Sequence, residues 1–146
     1  MENASGSRIV VGVDGSDASI VALRQARNLA LALGGTVEAS AFWDPPQVPA
    51  SFEAVGIGRF EEAAGAILDD AMERAFGSEL PDNVVRRLVR GHPRTMLIEA
   101  SKEADMIVVG RRGHGGFGGL LLGSVSSALV AHAHCPVLVV HAPEET

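Results

Sequence analysis

Lysine is almost missing from this chain. Lys102 is the only one among 146 residues, and Ser101 precedes it rather than glycine. A Walker A loop needs Gly-Lys-Ser/Thr so that an ammonium reaches the β- and γ-phosphates. That device is therefore excluded, and the motif set of protein kinases is absent with it. Cysteine is equally scarce: a lone Cys135 closes no internal disulfide, as expected in a reducing compartment. No apolar run approaches the roughly 20 residues that span a bilayer. The stretch from Met1 to Arg8 has no apolar core of a signal peptide, so no membrane role and a cytoplasmic location are expected. Positive charge is short as well. Twelve Lys+Arg against 18 Asp+Glu leave a net charge of −6 and a pI near 5.3. A chain of that sign lacks the basic surface that displaces counterions from nucleic acid, so nucleic acid is not an expected partner.

Apolar residues are plentiful, at 47%, and the length suits one domain spanning 1–146 with a core over about 7–142. Glycine is abundant and uneven: seven of the 17 lie between Gly110 and Gly123.

Short apolar runs alternate with helical patterns. Ile9-Val10-Val11-Gly12-Val13 is β-branched and nearly continuous, as in a strand buried on both faces. Ser16 or Asp17 can cap a helix whose face holds Ile20, Leu23, Ala26, Ala30 and Leu33, with Gly34-Gly35 as its stop. A second strand is expected over Thr36 to Trp43. The stretch from Asp44 to about Gly58, with three prolines and two glycines, reads as a loop, with a short helical start as an alternative, and as a candidate lid or partner surface. Phe60, Ala64, Ile67, Ala71 and Ala75 form the next helical stripe. A third strand over Asn83 to Val89 carries Arg86 and Arg87, with Arg90 just beyond, as an edge strand would. Pro93 opens a helix to about Lys102, and Met106 to Val109 is a fourth strand. Ser124 to His134 reads as a helix with Val125, Ala128, Leu129 and Ala131 or His132 inward. Pro136 to His141 is a fifth strand.

This β-α-β-α-β-α-β-α-β alternation implies an α/β fold: an open, doubly wound, five-stranded parallel sheet with helices on both faces. Ligands of such sheets sit beyond the carboxyl ends of strands where the strand order reverses. Two strand ends carry unusual chemistry. The first runs into Asp14-Gly15-Ser16, the fourth into Gly110-Arg111-Arg112-Gly113 and the rest of the glycine cluster. If both line one crevice, the order is 3-2-1-4-5. Glycines let backbone N–H groups approach a ligand, and the helix opening at Gly123-Ser124 favours a phosphate at its N-terminus. Phosphates held by main-chain groups need no lysine. Arg111 and Arg112 add charge, and Asp14 suits the donors of a ribose or an adenine amino group. A glycine-rich surface loop without a ligand is the plainer alternative.

These residues resemble a known family. Gly-x2-Gly-x9-Gly-Ser, here Gly110, Gly113, Gly123 and Ser124, is similar to the nucleotide-binding signature of the universal stress proteins. The likeness extends to Ile9-Val-Val-Gly-Val-Asp14-Gly-Ser16, Gly91-His92-Pro93, Asp105-Met-Ile-Val-Val-Gly110 and Cys135-Pro136-Val-Leu-Val-Val140. It implies a Rossmann-like fold of the adenine-nucleotide hydrolase type and ATP as ligand, with Mg²⁺ bridging phosphates. It places Asp14 at the nucleoside with Val13 nearby, and Phe42 against adenine. Val109 and Gly110 fall at the ribose and phosphates. Arg112, Gly113, Gly123, Ser124 and Val125 fall around the phosphates. It also implies a homodimer through Val137 to Val140. Phe42 is larger than the aliphatic residue usual at its position, which implies a reshaped adenine pocket.

Other residues read more plainly. His132 and His134 are two apart and point away from each other on a helix, so capping and packing outweigh a metal site. Cys135 reads as a small buried hydrophobe. His114 lies in the glycine loop, as a phosphate donor or a solvated side chain. Asp69-Asp70 and Glu61-Glu62 read as a solvated helix face. The function implied is that of an ATP-binding, dimeric stress-response sensor or regulator with an unidentified protein partner. Two alternatives are a slow ATP hydrolase, for which His114 is the one candidate base, and an interaction module of the same fold that binds no ATP.

Overall fold

The computed structural model describes residues 6–45, 50–111 and 123–142, with the backbone alone at 50–57. Nine elements follow one another: β1 (Arg8–Gly12), α1 (Asp17–Leu33), β2 (Thr36–Trp43), α2 (Ala50–Phe76), β3 (Val84–Arg90), α3 (Pro93–Ala100), β4 (Met106–Gly110), α4 (Ser124–His132) and β5 (Val137–Val140). The strands form one parallel sheet in the order β3-β2-β1-β4-β5, as the paired strand ends imply. The reversal of strand order falls between β1 and β4, whose partners are Ile9 and Met106, Val10 and Ile107, and Val11 and Val108.

Alternation along each strand divides the core in two. Ile9, Val11, Val37, Ala39, Ala41 and Val108 turn to one face, where Leu23, Ala26, Leu68 and Ala71 of α1 and α2 cover them. Val10, Ile107 and Val109 turn to the other, against Leu97 of α3 and Leu129 of α4. This is the pattern of strands buried on both sides. Local signals set the helix ends. Ser16 Oγ accepts from Ser19 N at 3.2 Å, and Gly34 closes α1 in the left-handed conformation. His92 Nδ1 accepts from Arg94 N at 3.1 Å ahead of Pro93.

The structure corrects several expectations. The backbone is helical from Ala50, so the helix claims residues 50–58 of the expected loop, and residues 46–49 lie outside the described residues. Proline and glycine composition suggested the loop. The expected stripe of α2 holds at Ala64, Ala71 and Ala75 and fails at two positions. Phe60 is 41% exposed and Ile67 43%, while Leu68 is fully buried and Met72 nearly so. Leu33, at the last turn of α1, is 50% exposed. Helix α4 ends at His132 rather than His134, and Ala131 and His132 are exposed. Ala133, the C-cap residue, is already extended, with ψ 153°. Ser126 and Leu129 are the buried residues of that helix.

The edge arginines are engaged. Arg86 of β3 grips Asp69 of α2 with Nε at 2.6 Å and Nη2 at 3.3 Å. Arg87 donates to Glu38 of β2 at 2.7 Å, and Arg8 of β1 donates to both oxygens of the same carboxylate. Arg90 stacks over the Trp43 ring at 5.2 Å. The Arg8 hydrogen bond, opposed by partial burial and helped by Arg87, holds the Glu38 carboxyl below the usual carboxylate range.

Two predictions follow from this packing. Leu68→Ala should cost about 3 kcal/mol and Ile67→Ala less than about 1 kcal/mol in urea denaturation. Equal losses would contradict the orientation of α2. A carboxyl depressed in the folded state contributes stability that is full above its unfolded pKa, about 4.3, and is lost as pH falls through the folded value. Glu38→Gln should therefore lower stability at neutral pH and flatten its decline below about pH 4, measured by denaturant midpoints across pH. A wild-type and a Gln variant with parallel pH profiles would remove Glu38 from the acid response.

Candidate functional site

The carboxyl ends of β1 and β4 lie side by side, and each leads into polar or glycine-rich chain. After β1, Val13 continues the ladder by donating its N–H to Ser40 O at 2.8 Å. Its side chain, 4% exposed, lies in the α1–α2 core, so Val13 presents only its backbone to the crevice. The exposed Asp14 then opens a turn: Oδ1 accepts from Ser16 N at 2.9 Å and from Ser16 Oγ at 2.5 Å. Gly15 has φ +84°, a conformation that favours glycine and that lets Ser16 N–H face back to Asp14. Ser16 Oγ thus donates to Asp14 and accepts from Ser19 N, which ties the carboxylate to the first turn of α1.

Gly110 closes β4 against that same helix turn. A Cβ at Gly110 would lie 2.7 Å from Ala18 Cβ and 3.4 Å from Ser19 N, so no side chain fits. The glycine has a packing reason of its own, besides any approach of backbone to a ligand. Val109, 4% exposed, packs in the α3–α4 core. Phe42, near the end of β2, is half-buried against that cluster, as is Val125.

Beyond Gly110 the chain is tied at its stem. Arg111 N donates to Val140 O of β5, and Arg111 O accepts from Gly123 N at 2.7 Å and from Ser126 Oγ at 2.7 Å. The glycine-rich segment therefore leaves and re-enters at one point, at the N-terminus of α4. Arg112, Gly113 and His114 lie outside the described residues. Gly123 is the N-cap residue of α4, and among the described residues no side chain caps that helix, unlike α1 and α3. Ser124, the first helical residue, is exposed. An uncapped first turn offers main-chain donors and the positive end of the helix dipole.

The fold thus gathers Asp14, Gly110, Gly123 and Ser124 at one edge, while the side chains of Val13 and Val109 are buried in the two cores. Sequence reasoning missed two contributors. Ser126 is 2% exposed and bonds Arg111 O; a serine in the first turn of a helix was the available signal. Arg74 of α2 reaches Gly15 O at 3.2 Å, across 59 residues of chain, and nothing local marks it.

Elsewhere, burial pushes the half-buried Cys135 thiol up, more than a backbone hydrogen bond at Ile107 lowers it, so it stays protonated at neutral pH. His132 and His134 are both exposed, and His134 N donates to Ser101 Oγ at 2.9 Å. Among the described residues no group of three or more His, Cys, Asp or Glu is placed to hold a metal ion, and no helix is long and apolar enough to cross a membrane.

Comparison with known proteins agrees with this architecture. The family model described as the universal stress protein family matches residues 7–141. A universal stress protein of Mycolicibacterium smegmatis is 37% identical over 137 residues, which cover 90% of this chain and 45% of that protein. The chain thus spans about half the length of this relative. The solved structure of universal stress protein UspA from Lactobacillus plantarum superposes with a TM-score of 0.77 at 27% identity, covering 94% of this chain and 99% of the other. A universal stress protein crystallised in complex with cAMP superposes at 0.66 with 31% identity, covering 94% of this chain and 98% of its own. Matched by the family model along nearly its whole length, this chain belongs to the universal stress protein family.

Proposed function

We propose that this chain binds an adenine nucleotide, ATP with Mg²⁺, beyond the carboxyl ends of β1 and β4, and acts as a dimeric sensor or regulator. The observation that carries this reading is the tied stem of the glycine-rich segment. Arg111 O and Gly123 N close it between a strand end and an uncapped helix start, beside the Asp14–Ser16 turn. Main-chain N–H groups at such a helix start suit phosphate, and Ser124 adds a hydroxyl donor. The Asp14 carboxylate accepts from ribose hydroxyls or the adenine amino group. The half-buried Phe42 supplies apolar surface for the base, and Val109 lies beneath as core. Arg112 and Gly113 belong to the same segment and complete the phosphate contacts in this reading, with Val125 behind them. The neighbour solved with cAMP, at 31% identity, supports an adenine nucleotide as the ligand class. Mg²⁺ fits as a companion of the phosphates, since it keeps most of its waters and is commonly held by substrate phosphates with few protein ligands.

Regulation follows if a protein partner reads the ordered 110–123 segment. A ligand shifts a population only through differential affinity for its states, so the partner must bind the nucleotide-ordered surface better. A second copy of the chain is proposed to pair at Val137–Val140. There β5 is an edge strand with four uncharged residues, three of them half-buried.

Asp14→Ala and Gly123→Val should each weaken ATP–Mg²⁺ binding by at least about tenfold in calorimetry, with thermal unfolding as the control for folding. Unchanged affinity in both variants would overturn the site. For the dimer, Val139→Lys should halve the mass seen by light scattering, because a charge on an edge strand blocks pairing. A wild-type chain of monomeric mass would refute that part.

A further inference from the structure

We propose that Arg74 of α2 is a positioning residue for the Asp14 turn and so couples α2 to nucleotide affinity. The inference rests on the reading of Asp14 as a nucleotide contact.

Arg74 Nη1 donates to Gly15 O at 3.2 Å, and Nη2 donates to Asp17 Oδ1 at 2.7 Å. Gly15 C=O and Ser16 N–H are the two ends of one planar peptide unit. Its N–H end donates to Asp14 Oδ1 at 2.9 Å, so the unit is held from both sides: by Arg74 at the oxygen and by Asp14 at the nitrogen. Without the guanidinium, rotation of that plane would carry Ser16 N–H away from Asp14. Gly15, at φ +84°, has no Cβ to resist such a rotation. The carboxylate would then lose a donor that fixes its direction.

Arg74 is itself well placed. Asp70, one turn earlier on α2, lies 3.7 Å from Nη1. Arg24 of α1 donates to Arg74 O at 2.8 Å and to Ala75 O at 3.3 Å, gripping the last turn of α2. Helix α1 therefore holds the end of α2, and α2 holds the turn that precedes α1. Any ligand or partner that displaces α2 acts on Asp14 through this arginine. The Arg74 and Asp17 side chains are 42% and 73% exposed, so the ion pair adds little to global stability. Its effect on the turn is separable from its effect on folding.

Three measurements on wild type, Arg74→Met and Arg74→Lys test this. They are amide exchange at Ser16 without ligand, thermal unfolding, and ATP–Mg²⁺ calorimetry. In Arg74→Met, Ser16 exchange should rise and ATP affinity fall, each about fivefold, while the unfolding midpoint moves by less than about 4 °C. Exchange at Val109 should stay unchanged. Arg74→Lys, which keeps the charge but not the fork, should fall between the two. Unchanged Ser16 exchange in Arg74→Met overturns the proposal, as does faster exchange with unchanged affinity. If wild type binds no ATP, the nucleotide reading fails and the coupling to affinity fails with it; Ser16 exchange still decides whether Arg74 orders the turn.

Discussion

The crevice depends on how closely β4 approaches the first turn of α1. At Gly110 only a hydrogen fits, because any Cβ would lie 2.7 Å from that of Ala18. This contact sets the end of β4 beside the turn that leaves β1, and it fixes where the next residues must go. Arg111 turns to β5 through its N–H and to α4 through its carbonyl. One residue thus links the last two elements to the switch point. The glycine-rich segment between 111 and 123 starts and finishes at this junction, so the junction decides where its main-chain groups are delivered. A larger residue at 110 would push α1 from the sheet and move Asp14, Ser16 and the stem together.

Much of this was legible in the sequence, for physical reasons. Val10, Val11, Ile107 and Val108 lie in short apolar β-branched runs because the central strands are buried on both faces. Asp14-Gly15-Ser16 and Gly123-Ser124 stood out because turns and helix starts need those residue types. Strand order followed from asking which two strand ends carried ligand chemistry. Other features depend on tertiary packing. Helix α2 turns Leu68 rather than Ile67 inward, and a stripe of similar apolar residues does not choose between neighbouring faces. The helix also starts at Ala50 despite Gly56 and Gly58, since a glycine in a helix costs only about 1 kcal/mol and does not forbid it. The Arg74 contact with Gly15 joins residues 59 apart and has no periodicity to reveal it.

Electrostatics sets the terms on which an acidic chain would hold a polyanion. Many of its cations are already engaged: Arg8 and Arg87 by Glu38, Arg86 by Asp69, Arg74 by Asp17, Lys102 by Glu99, Arg24 by helix carbonyls. Such pairs serve the fold, joining strand to strand and helix to sheet, and they commit about half of the twelve cations. Phosphate affinity must then come chiefly from main-chain dipoles near Gly123 and Ser124, and from Arg111 and Arg112. A helix N-terminus contributes about 0.3–1 kcal/mol, up to about 2 when partly buried. Micromolar binding needs about 8 kcal/mol. No single dipole reaches that sum, so affinity has to be spread over several N–H groups, the base surface and the Asp14 carboxylate. A site assembled this way would be sensitive to the placement of its backbone, which is the ground of the positioning role proposed for Arg74.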